Sequence, residues 1–82
     1  MEEIYDRIKS VIEAVDHKYE FGIGDVTPST QIKNYLDSLD IAELVIELEK
    51  EFNVAIKDEE ILQWETPSDI LRSVENALTE SK

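Results

Sequence analysis

Apolar side chains in this chain recur at the period of an α-helix, and no segment alternates at the period of a strand. That rhythm sets the fold class before any single residue is weighed. Ile4, Ile8, Val11, Ile12 and Val15 lie between charged neighbours, which predicts an amphipathic helix over residues 3–18 with one buried stripe. Tyr19 and Phe21 are expected to finish the stripe, and Gly22 and Gly24 to stop the helix. A long connection follows over 22–37, with Pro28 and the run Thr27-Pro28-Ser29-Thr30-Gln31. Helix connections in bundles usually take about 2–8 residues, so this one is expected to be functional or partly structured. Ile32, Tyr35 and Leu36 are its expected anchors to the core.

The second helix is predicted over Ser38–Phe52. Ser38 is the expected N-cap, Asp40 suits the positive end of the dipole, and Asn53 is a left-handed stop. Val54-Ala55-Ile56 is a short apolar link, after which Asp58 is expected to cap a brief helix through Glu59, Glu60, Ile61 and Leu62. Thr66-Pro67-Ser68-Asp69 is the clearest local signal, with Thr66 as N-cap, Pro67 at the first helical position and Asp69 in the first turn. Ile70, Leu71, Val74, Ala77 and Leu78 give that helix its buried face. The expected fold is all-α: a small four-helix bundle, three main helices plus a short third, with a long first loop. Residues 1–82 read as a single domain.

Twenty Asp and Glu against eight Lys and Arg give a formal charge of −12. Nucleic acid and anionic membranes repel such a chain, so neither is an expected partner. Basic protein surfaces attract it, which raises association rates more than affinity. Met1-Glu2-Glu3-Ile4 lacks the basic start of a signal peptide, and no apolar run approaches about 18 residues. The default location is therefore the cytoplasm, the absence of cysteine fits a reducing compartment, and a monomer is expected. A chain of 82 residues buries only about 60% of its unfolded surface, so the core is modest.

On a wheel of about 100° per residue, Ile41, Val45, Leu48 and Phe52 form the core face of the second helix. Asp40, Glu43, Glu47 and Glu51 form an acidic stripe roughly opposite. Leu39 and Ile46, seven residues apart, share a third strip beside those acids. Apolar anchors with a charged rim fit a docking surface.

Ser38 sits where this helix begins, between Asp37 and Leu39-Asp40. A catalytic serine needs a base and an orienting acid. The one histidine is His17, and no glycine-rich elbow surrounds Ser38, so an enzyme is not expected. Asp37 with Asp40, and Asp58-Glu59-Glu60, lack the alternating ligands and central glycine of a calcium loop. Loose divalent binding by the acids is all that these runs suggest. The serine remains as an acceptor, modified by another protein that supplies its own base and metal.

The run Asp37-Ser38-Leu39-Asp40, followed by Ala42-Glu43-Leu44-Val45, Leu48-Glu49 and Glu51-Phe52, resembles the attachment segment of acyl carrier proteins. The similarity continues through Val54-Ala55-Ile56 and Asp58-Glu59-Glu60 to Thr66-Pro67-Ser68-Asp69-Ile70, covering most of 32–79. The first helix agrees only in being amphipathic and acidic.

The resemblance implies that Ser38 receives 4′-phosphopantetheine from coenzyme A, installed by a phosphopantetheinyl transferase. The arm's thiol would carry acyl groups as thioesters. Asp37 and Leu39 flank the attachment serine as in the family. Leu39, Asp40, Glu43, Ile46, Glu47 and Glu51 would face basic patches on acyl ligases, synthases and transferases. In the family an acyl chain can enter between the second and third helices, which makes Val45, Leu48, Ile56, Ile61 and Leu62 candidate lining residues.

Two features depart from the fatty-acid type. Tyr35-Leu36 directly precedes Asp37 where that type has glycine two residues before Asp-Ser-Leu, and Trp64 is unusual for it. Both point towards a specialised lipid, polyketide-like or cell-envelope pathway as readily as towards fatty-acid biosynthesis. A peptidyl, aminoacyl or D-alanyl carrier stays open, as does an acidic helical adaptor without a prosthetic group.

Overall fold

Among the described residues the helical rhythm becomes four helices: α1 (Glu2–Tyr19), α2 (Ser38–Phe52), α3 (Asp58–Ile61) and α4 (Pro67–Glu80). A single 3₁₀ turn, Ile32–Asn34, lies inside the first connection, and no strand occurs among the described residues. The structure is a computed structural model that describes residues 2–80, with the side chains of 4–80. Helix α1 packs on α2 and α4, and α3 packs on α4.

Ile8, Ile12 and Val15 of α1 meet Leu44, Leu48 and Phe52 of α2 and Ile70, Val74 and Ala77 of α4 in one core. The buried row of α2 therefore runs through Leu44, Leu48 and Phe52, four residues apart. Leu44 was absent from the wheel's core face, whereas Ile41 and Val45 lie half-buried at its edge. That sideways offset leaves them free to line a groove.

Helix α1 stops before its glycines. Glu20 takes the left-handed conformation at φ 58°, and the N–H groups of Glu20 and Phe21 donate to the Asp16 carbonyl at 2.7 and 3.3 Å. A non-glycine residue there costs about 1 kcal/mol, so the stop is held by packing and hydrogen bonds beyond it. Asp16 also accepts from the Ile23 N–H at 3.0 Å, which turns the chain inward. Tyr19 does not finish the buried stripe; it is exposed and stacks on Phe21 at 5.7 Å.

The first connection is anchored by Ile23, Val26, Ile32 and Leu36, all buried. Tyr35 is not an anchor: it is 43% exposed, because Ile32 and Leu36, one turn apart, take the two inward positions. The Ile32 N–H donates to the Glu65 carbonyl at 3.0 Å. Farther back, the Ser68 hydroxyl and N–H donate to the Pro28 carbonyl at 3.0 and 3.3 Å. The loop is thus tied to the link between α3 and α4.

Trp64 in that link is a core residue, 1% exposed, and its indole N–H donates to Ser73 Oγ at 2.8 Å. Lys57, not Asp58, occupies the N-cap of α3 and makes no side-chain cap bond; Asp58 follows as the first helical residue. Its carboxylate, with Glu59 and Glu60, still suits the positive end of that turn. Helix α4 opens at Pro67 as expected. Asp69 reaches back to accept from the N–H groups of Glu65 and Thr66 at 2.9 and 3.1 Å. The Glu65 N–H above all, then that of Thr66, Arg72 and the Thr66 hydroxyl hold this carboxyl below its usual range, against partial burial that works to raise it.

Candidate functional site: a free serine at the mouth of an apolar groove

Asp37 caps α2, and Ser38 does not. Asp37 Oδ1 accepts from the Asp40 N–H at 2.9 Å, while Asp40 Oδ2 accepts from the Asp37 N–H at 3.2 Å. The two carboxylates close a reciprocal capping box at the positive end of the helix. A carboxylate outcompetes a hydroxyl for this role, since charge-assisted hydrogen bonds are roughly twice as strong as neutral ones. Ser38 becomes the first helical residue, exposed, and among the described residues its hydroxyl has no hydrogen-bond partner. At its far end α2 stops as expected, with Asn53 left-handed at φ 56°.

Beside Ser38 opens a groove of about 700 Å³ between α2, α3 and the 3₁₀ turn. Val45, Ile61 and Leu62 line it. Leu48 and Ile56 do not: they are 0% and 7% exposed and belong to the closed core. Leu36, Ile41 and Ala42 line the groove instead, and were missed as lining residues. Their signal was present, since Ile41 and Ala42 stand three and four residues after Ser38 and so share its side of the helix.

The acidic stripe divides in two. Near Ser38, Leu39 is 79% and Ile46 46% exposed, Asp40 is engaged in the capping box, and Glu43 accepts from the Tyr19 hydroxyl at 3.3 Å. Farther along, Glu47 and Glu51 border a cleft of about 560 Å³ between α1 and α2. Arg7 Nε pairs with Glu51 at 2.9 Å, a second Arg7 nitrogen donates to the Glu51 carbonyl at 2.8 Å, and the guanidinium lies 4.4 Å over the Phe52 ring. Lys50 lies 3.9 Å from Glu47. The distal half of the stripe is therefore partly neutralised, and the half beside Ser38 keeps its negative field.

His17 borders a separate depression with Asp16 and Gly24, not the groove of Ser38. Among the described residues, no group of three or more His, Cys, Asp or Glu could hold a metal ion. An exposed, unbonded hydroxyl on a fixed helix start suits covalent attachment, and the groove offers apolar walls to whatever follows.

A family model described as "Phosphopantetheine attachment site" matches residues 6–74. The chain belongs to the acyl carrier protein family. Proteins named acyl carrier protein from two strains of Porphyromonas gingivalis are each 36% identical to it over 72 residues, covering 85% of this chain and 92% of their own length. The prosthetic group of such a carrier is 4′-phosphopantetheine. The family match starts within α1, ahead of the segment on which the sequence resemblance rested. Among the described residues no helix is long and apolar enough to cross a membrane.

Proposed function

We propose that this chain carries acyl intermediates as thioesters on a 4′-phosphopantetheine arm attached to Ser38, in fatty-acid, lipid or polyketide-type biosynthesis, and is not itself a catalyst. The free Ser38 hydroxyl at the mouth of the groove carries this reading. During attachment, Ser38 Oγ bonds to the phosphorus of coenzyme A that bears the pantetheine. The bond from that phosphorus to adenosine bisphosphate breaks, and a base on the transferase takes the serine proton. The arm supplies the thiol that a cysteine-free chain lacks.

Asp37 and Asp40 hold the helix start, so Ser38 is presented in one orientation and its oxygen stays unengaged. Ile41, Val45, Ile61 and Leu62 give the groove walls suited to a hydrocarbon chain, which favours acyl over aminoacyl or peptidyl cargo. Leu39, Glu43 and Ile46 form the part of the docking strip that basic partner enzymes would meet. Tyr35, exposed where the fatty-acid type has glycine, supports a specialised pathway.

The test is to incubate the protein with a broad-specificity phosphopantetheinyl transferase, magnesium and coenzyme A, then weigh it intact beside Ser38→Ala. The parent should gain one phosphopantetheinyl group and the variant none. No gain with several transferases would favour the acidic adaptor. A gain retained by Ser38→Ala would move the site elsewhere. Loading with acyl ligases against aminoacyl- or D-alanyl-activating enzymes then identifies the cargo class.

A further inference from the structure

Among the described residues, Lys33 is the one cation lining the groove that holds Ser38. Arg7, Lys50, Lys57 and Arg72 each pair with a carboxylate. Among the described residues Lys9, Lys18 and Lys33 do not, and the Lys33 ammonium meets only the Leu62 carbonyl, at 3.5 Å. Of these three lysines, Lys33 is the one that shares the groove with Ser38, in a chain with twenty acidic residues.

We propose that Lys33 is the counter-ion of the phosphodiester formed on Ser38, a positioning residue that holds the root of the arm at the mouth of the groove. This rests on Ser38 being the attachment residue. Attachment places a new negative charge between Asp37 and Asp40, whose carboxylates already serve the capping box. Neither can answer that charge, and both repel it. Lys33 can. Its backbone is fixed by the buried Ile32, whose N–H bonds the Glu65 carbonyl and whose carbonyl accepts from Tyr35 and Leu36, each at 3.0 Å. Its flexible stem leaves the ammonium free to move. The contact with Leu62 is long and neutral, and a charge-assisted bond to a phosphate oxygen is stronger. Leu62 itself lines the groove, so transfer of the ammonium from its carbonyl to the phosphodiester releases the α3 wall as it anchors the arm.

The experiment compares wild type, Lys33→Met and Lys33→Arg, each melted unmodified and after attachment at low ionic strength. Intact mass certifies attachment in every sample, so failure of attachment is seen separately from failure of the ion pair. The change in Tm on attachment should be about 1–4 °C more favourable in wild type and Lys33→Arg than in Lys33→Met. That gap should shrink in about 0.5 M salt. Taking the difference within each variant cancels any effect of Lys33 on the unmodified turn, and Lys33→Gln replaces Lys33→Met should the latter fail to fold. Equal changes in all three proteins overturn the proposal, as does a gap indifferent to salt. A gap that arises only after the arm is loaded with a dicarboxylic acyl group assigns Lys33 to the cargo and overturns its pairing with the phosphodiester.

Discussion

At the scale of the residue, the division of labour between Asp37 and Ser38 governs the site. Both are good capping residues, and they compete for one position. Spacing decides between them: Asp37 finds a partner three residues on in Asp40, and that reciprocal box leaves the serine oxygen free. The pattern Asp-x-x-Asp was legible in the sequence, but the neighbouring serine also satisfied the rule for an N-cap. The consequence is measurable. Asp37→Ala should cost about 1 kcal/mol of stability in the unmodified protein. Ser38→Ala should stay within about 0.5 kcal/mol, since it removes no bond and adds a better helix former. Urea denaturation followed through the buried Trp64 reports both; a larger loss in Ser38→Ala would return the cap to the serine.

At the scale of the element, α4 and α2 make separate predictions. Asp69 ties the start of α4 to Glu65 and Thr66, and its carboxyl lies below the usual 3.8 in the folded protein. A depressed carboxylate stabilises fully above its unfolded value and loses that contribution as pH falls through about 3.8 towards the folded value. Asp69→Asn should therefore cost about 1 kcal/mol at neutral pH and flatten the loss of stability on acidification. Parallel urea midpoints of parent and variant down to about pH 3 would contradict it. On α2, the pairing of Glu51 with Arg7 predicts that its charge matters less to partners than that of Glu43. Glu43→Lys should slow transfer to a partner enzyme on the order of tenfold at low salt, and Glu51→Lys distinctly less. Ile46→Ala should also slow transfer, with helix content unchanged by circular dichroism in all three; equal effects of the two charge reversals would restore the undivided stripe. Arg7 lies 44 residues from Glu51, so a wheel drawn for α2 alone could not show this partner. The same limit explains Trp64, whose buried indole N–H finds its partner in Ser73 on α4, and Leu48 and Ile56, whose place in the core or on the groove depends on how helices meet.

At the scale of the whole molecule, local rhythm carried the fold and tertiary contact carried the exceptions. The helices and the proposal of Ser38 as attachment residue rest on periodicity and short spacings, which act within a few residues. The groove walls, the exposed Tyr35 and the inward turn through Ile23 and Val26 rest on packing between distant segments. Net charge belongs to neither class, because it acts on every residue at once. Folding gathers a formal charge of −12 into a body with a radius of gyration of 11.6 Å, whereas an unfolded chain of about 100 residues spreads to about 30 Å. Two like charges about 15 Å apart repel by roughly 0.3 kcal/mol in water, and the excess acids make many such pairs. The exposed ion pairs oppose this with about 0–1 kcal/mol each and weaken in salt themselves. Repulsion is the larger sum and the longer in range, so screening should remove more cost than benefit. Raising NaCl from about 20 to about 300 mM shortens the screening length below the molecular radius and should raise Tm by several degrees. A Tm that falls over this range would show that the ion pairs, and Arg7–Glu51 first among them, outweigh the repulsion of the acidic surface.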